Sequence, residues 1–291
     1  APPGMFAAAT PILHPPPLFT QAPSANNARN KPGGVAMRFT SEANEHGVRE
    51  RGFELEVAGE RVPGILWTPD DAAGPRPLIL MGHGGTQHKR VDTLLARARA
   101  YVRHQRWAVA AIDAPAHGER TTKEAAEAAR ASLQARMASR EQTKDDGRTR
   151  QMAEQAARAV PEWKATLDAL RALPEVGEGP VGYWGVSMGT SIGVPFLANE
   201  PRVQCAVLGL NGLRPGADEF GRQAASITIP LLFVFQRNDE LVKVEAGLAL
   251  FDAFASKEKR MHINPGGHVQ IPPHEREDFE RFFVRHLGPG Q

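Results

Sequence analysis

From about Met37 onward the chain repeats one pattern: a short run of β-forming residues, then a longer stretch with helical spacing. The runs are Pro77 to Met81, Trp107 to Asp113, Val181 to Val186, Val203 to Leu208, Ile229 to Phe235 and Arg260 to Ile263. Most are apolar without alternation, as strands covered on both faces are. The helical stretches fit between and after them, at Val91 to His104, Val160 to Leu173, Met188 to Asn199, Val244 to Ala255 and His274 to His286. An opening hairpin fits Phe53 to Val57 and Arg61 to Trp67, turning at Gly59. Strand and helix in alternation predict the α/β class, with a mostly parallel sheet of about eight strands and helices on both faces.

Two segments break the pattern. Residues 119–160 fill an overlong connection with Ala, Glu, Arg and Gln. That composition favours helix. Its apolar side chains, Leu133, Met137 and Met152, form a stripe too thin for a core, so the segment reads as a small helical cap, either a solvated excursion or a lid. Residues 1–36 hold eight of the 24 prolines and no acidic residue, and read as an extended tail ahead of one domain over 37–290.

Composition excludes several partners. Thirty-five basic against thirty-three acidic residues leave a net charge of +2, too weak a field to gather nucleic acid. No apolar run approaches the length of about 18 residues that spans a bilayer. The single cysteine, Cys205, forbids an internal disulfide and leaves the redox compartment open. Cytoplasm is the first expectation, and a secreted location follows if a signal was already removed.

The chemistry concentrates where predicted strands end. Gly185-Val186-Ser187-Met188-Gly189 follows a strand and opens a helix, the context of a nucleophile elbow. A serine hydroxyl needs a base to become a nucleophile, and the base needs a carboxylate to orient it. Asp239 lies just beyond the strand ending at Phe235, with Glu240 and Asp252 as rivals; His268 lies beyond the strand ending at Ile263, with His262 as a rival inside that strand. The order Ser187, Asp239, His268 is that of α/β-hydrolases. After Met81, the turn Gly82-His83-Gly84-Gly85-Thr86 offers backbone N–H groups to an oxyanion; Gly85 is the first choice, with Gly84 and Thr86 as neighbours, and the Met188 amide is the partner donor. His83 reads as a structural histidine of that turn.

Other matches fail on context. Gly177 to Gly182 fits G-x-G-x-x-G but precedes its strand, and Gly82 to Lys89 lacks the Gly-Lys pair of a phosphate loop. Asp113 and His117 lack a third metal ligand at a useful spacing. Tyr183, Trp184 and Cys205 read as core.

On His83-Gly84-Gly85, Asp113-Ala114-Pro115-Ala116-His117-Gly118, the elbow at Ser187, Asp239 and His268, the sequence resembles the α/β-hydrolase family of serine hydrolases, near its dienelactone-hydrolase-like and peptidase-like branches. The resemblance runs from about residue 50 onward. It implies that the Asp113 to Gly118 turn shapes the floor of the site. Dienelactone hydrolases carry a cysteine nucleophile where this chain has Ser187. The expected activity is carboxylesterase chemistry on a small-molecule ester through an acyl-enzyme, with no cofactor and no metal required. The rivals are a peptidase or amidase on the same three residues and a non-catalytic hydrolase-like binding protein. Oligomeric state is not legible.

Overall fold

The computed structural model describes residues 35–139 and 146–290. Most of the expected tail therefore lies outside the described residues, as do residues 140–145 of the expected cap.

Among the described residues nine strands form one sheet, in the order β1-β2-β3-β5-β4-β6-β7-β8-β9. Strands β1 (Arg38–Glu45), β2 (Val48–Val57) and β3 (Glu60–Pro69) are antiparallel, and β3 joins β5 antiparallel. The remaining six are mutually parallel: β4 (Leu78–Gly82), β5 (Ala108–Ile112), β6 (Val181–Val186), β7 (Val203–Gly209), β8 (Leu231–Gln236) and β9 (Lys259–Asn264). The expected α/β class stands, with one strand more than expected. The addition is β1, an edge strand whose apolar residues, Phe39 and Ala43, are too sparse to stand out as a strand pattern.

Successive side chains of a strand point to opposite faces, so each parallel strand feeds two cores. On one face Leu231, Phe233 and Phe235 of β8 and Leu78 and Leu80 of β4 meet Trp163, Leu167, Phe196 and Leu250 from the helices. On the other, Ile79, Met81, Val109 and Val234 meet Tyr101, Phe279 and Phe283. The first face is covered by α3 (Asp146–Arg171), α4 (Met188–Ala198), α5 (Asp218–Ser226) and α6 (Val244–Ala253), the second by α1 (Asp92–Gln105) and α7 (Glu275–Leu287). Tyr183, Trp184 and Cys205 are buried, as their strand positions require.

Two helices depart from the sequence reading. A helix beginning at Val160 instead begins at Asp146 and runs through Pro161. Its second half carries the buried Trp163, Leu167 and Leu170, so one element is both excursion and core. Helix α5 lies in a stretch assigned no element, and only Ala224 among its residues is buried. The excursion's other helix, α2 (Lys123–Ser139), buries none. Among the described residues no helix is long and apolar enough to cross a membrane.

Chain order reverses at β4: β5 lies on one side of it and β6 on the other. A crevice at the carboxyl ends of the strands therefore opens between the turns that follow β4 and β6.

Candidate active site

Strand β6 is buried along its whole length and ends at Val186. Ser187 then takes φ 57° and ψ −114°, a backbone conformation costly for a residue with a side chain, and α4 starts at Met188. The flanking glycines have a steric reason. A Cβ at Gly185 would stand 2.8 Å from the Gly189 carbonyl oxygen, and one at Gly189 would stand 2.6 Å from the Gly82 carbonyl oxygen. The turn is therefore pressed against the end of β4.

Buried hydrogen bonds hold the strained serine. Its amide donates to the Gly209 carbonyl at 2.9 Å. Thr190 Oγ1 donates toward the Gly185 and Gly209 carbonyls, at 2.9 and 2.7 Å, and accepts the Gly209 amide at 2.8 Å. Asn211, just beyond β7, donates from Nδ2 to the Ser187 carbonyl at 3.0 Å and to Ser191 Oγ at 2.6 Å. Ser191 and Asn211 carried no motif; only the packing of α4 against the end of β7 brings them under Ser187.

The three residues expected to work together meet. Ser187 Oγ lies 2.8 Å from His268 Nε2, and His268 Nδ1 lies 2.7 Å from Asp239 Oδ2. A carboxylate only accepts, so Nδ1 carries the imidazole proton and Nε2 is left to accept from the hydroxyl. The other Asp239 oxygen accepts the amides of Leu241 and Val242, at 2.8 and 2.9 Å. Asp239 and His268 are both buried. Their two loops are tied by the Arg237 amide on the Asn264 carbonyl and the Asn238 amide on the Gly266 carbonyl, at 2.8 and 3.0 Å.

The rivals occupy other positions. Glu240 accepts the His268 backbone amide at 2.8 Å, which fixes the histidine loop from behind. His262 faces Glu275, with Nδ1 3.0 Å from Oε2. His262, Glu275 and Asp278 offer ligand atoms within 4.8 Å of one another, the group among the described residues that could hold a metal ion. Glu275 already accepts from Asn264 at 2.7 Å and Asp278 from Arg281 at 2.6 Å, and none of these residues belongs to the serine line.

Upstream, His83 is structural, as expected. Its Nε2 accepts the Ala114 amide at 3.0 Å, so Nδ1 carries the proton and donates to the Gly84 carbonyl at 2.9 Å. Burial pushes its pKa down to about 4, so the ring is neutral near pH 7. The Gly84 amide donates to Gln87 Oε1 at 3.1 Å, whereas a Cβ on Gly85 would meet nothing within 4 Å. Asp113 is a tie as well. Burial alone would raise its pKa, but the Lys89 ammonium at 2.6 Å and the amides of Lys89 and Glu119 hold it below the usual carboxylate range. Lys89 thereby links the turn after β4 to the turn after β5. No sequence motif marked it.

No family model matches the chain, and no curated protein does. Solved structures do. A PEG-bound cold-adapted esterase from an Arctic intertidal metagenomic library is 34% identical over 84% of this chain and 97% of its own, with a TM-score of 0.70. The native structure of a cold-adapted esterase from such a library gives 30% identity, 86% and 99% coverage and a TM-score of 0.67. Dienelactone hydrolase from Anabaena variabilis, at 21% identity over 83% of this chain and all of its own, shares the fold with a TM-score of 0.59. The chain belongs to the α/β-hydrolase family of serine hydrolases.

Proposed function

We propose that the protein is a carboxylesterase in which Ser187 attacks the ester carbonyl, His268 Nε2 takes the hydroxyl proton, and Asp239 stabilises the imidazolium that forms. Ester cleavage is the activity in the names of the solved relatives at 30% identity or more. The observation that carries the assignment is the unbroken line from Ser187 Oγ through the His268 ring to Asp239, at 2.8 and 2.7 Å.

As the hydroxyl adds to the carbonyl carbon, the carbonyl oxygen becomes an oxyanion. The Met188 amide, at the first position of α4 where no intrahelical acceptor is available, is one donor to it. The Gly85 amide is the other, favoured over Gly84 because the Gly84 amide is engaged by Gln87. His268 then protonates the leaving alcohol, the acyl group stays on Ser187, and a water activated by the same imidazole releases the acid.

The test is labelling by a fluorophosphonate together with turnover of p-nitrophenyl acetate. Ser187→Ala should abolish labelling and lower kcat by at least about 10⁴-fold with unchanged circular dichroism. Equal labelling of native protein and variant would remove Ser187 as the nucleophile. An aminoacyl p-nitroanilide in the same assay separates ester from amide cleavage.

A further inference from the structure

We propose that His262, Glu275 and Asp278 form a binding site for a divalent transition-metal ion such as Zn²⁺, which cross-links β9 to α7 at the base of the loop that carries His268. The site is separate from the serine line and stands whichever residue is the nucleophile.

Two periodicities assemble the ligands. Glu275 and Asp278 are three residues apart in the first turn of α7, so their side chains lie on one face of the helix. His262 and Asn264 are two apart on β9 and share a face of the strand. The two faces meet: His262 Nδ1 is 3.0 Å from Glu275 Oε2, and Asn264 Nδ2 donates to Glu275 Oε1 at 2.7 Å. Ligand atoms of His262, Glu275 and Asp278 all lie within 4.8 Å of one another. Around a tetrahedral zinc, ligands at about 2.0–2.2 Å from the ion stand roughly 3.3–3.6 Å apart, so an approach of about an ångström closes the set. Asp278, with a side chain 30% exposed, has room to make it, and its Oδ1 accepts from Arg281, which leaves Oδ2 for the ion.

Charge points to a cation. Glu275 is 1% exposed, and among the described residues no lysine or arginine pairs with it. Its side-chain partners are an amide and an imidazole, and only a protonated imidazole would offset its charge. The positive end of α7 amounts to about half a charge, which leaves Glu275 undercompensated. Buried charges are paired or coordinate metals. A divalent ion on two carboxylates and a neutral imidazole makes a set of zero net charge, with Asn264 as the outer partner that orients a ligating carboxylate. Beside the site lies a cavity of about 260 Å³, bounded by His262, Asp278 and Phe282 among others, which gives an ion access and leaves space for a water as fourth ligand. The chain between Asn264 and Glu275 is the loop that holds His268, so the ion would tie the two ends of that loop together. No ligand belongs to the serine line, so the effect falls on the stability of the loop and not on the chemical step.

The experiment is a titration of chelator-treated protein with zinc chloride, reading bound zinc after desalting by mass spectrometry and the melting temperature by circular dichroism. Native protein should retain about one zinc per chain and melt about 5 °C or more higher when saturated. His262→Gln and Asp278→Asn alter partly exposed side chains, so both variants should fold. Each should bind zinc at least about tenfold more weakly and lose the rise in melting temperature, and Asn264→Ala should weaken binding by about 10–100-fold. Native protein that retains no zinc overturns the proposal. So do variants that bind it as native protein does, which would place the zinc on other histidines. Neither readout depends on ester turnover, so this site and the carboxylesterase assignment fail on different results.

Discussion

The turns at the carboxyl ends of the parallel strands and the helix α2 that projects after β5 are ordered by different forces. At the strand ends the buried carboxylates are held from several sides: Asp239 accepts from His268, Leu241 and Val242, and Asp113 accepts from Lys89 and Glu119. Helix α2 buries no residue and keeps its shape through its own backbone, a Thr122 contact at its start and a surface pair between Lys123 and Glu127. Between these extremes lies α3. Its Glu162 forms a two-pronged pair with Arg120 at 2.7 Å, both side chains buried, and its Trp163 packs into the core. Fixed geometry is thus concentrated where strands end, and α3 fastens the excursion to it, with Gln155 donating to the Pro115 carbonyl at 3.2 Å and Ala156 and Trp163 buried. A site that must align three side chains to within a few tenths of an ångström needs the first kind of environment.

The sharpest way to break this contrast is at Asp239. Asp239→Asn preserves an oxygen for the amides of Leu241 and Val242, but its NH₂ facing His268 would force the wrong tautomer. Stopped-flow or steady-state kinetics should show kcat lower by about 10⁴-fold with little change in stability. A loss below about tenfold would mean that the carboxylate does not orient the histidine.

A middle-sized effect tests the structural histidine. His83 has a folded pKa of about 4 against an unfolded value of 6.5, so between those values the unfolded chain binds more protons. Stability is then complete above pH 6.5 and declines as pH falls toward 4. Between pH 7 and pH 5 the loss should be about 2 kcal/mol in urea unfolding, on the order-of-magnitude scale of 1.36 kcal/mol per unit. His83→Gln should lose correspondingly less over the same interval. Parallel curves would show that the burial of this ring does not govern acid sensitivity.

The smallest effect belongs to the excursion. Leu133→Ser on α2 should change the free energy of unfolding by less than about 1 kcal/mol, since the helix contributes no buried side chain. A loss of 2 kcal/mol or more would show that α2 is part of the cooperative core after all.

Much of this architecture was legible before any coordinates. Strands such as Leu231–Gln236 are buried on both faces, so hydrophobicity alone marks them, and glycines around Ser187 mark a turn that tolerates no Cβ. The residues that failed to announce themselves share a physical trait. Edge strand β1 and helix α5 bury little, which leaves local sequence few constraints to display. Lys89, Ser191 and Asn211 acquire their roles from partners 20 or more residues away, and a lysine or asparagine looks the same in sequence whether it is solvated or buried.

Sequence by itself determined the layered α/β class, the turn that holds Ser187, and the candidacy of Asp239 and His268, because periodicity, glycine placement and chain order are local properties. Tertiary structure brought these distant residues into contact, placing His268, the sequence's choice, on Ser187 Oγ and its rival His262 against Glu275. It also left the alanine-bearing first half of α3 facing α4 and α5 across a cavity, because a cavity exists only between elements and never within one.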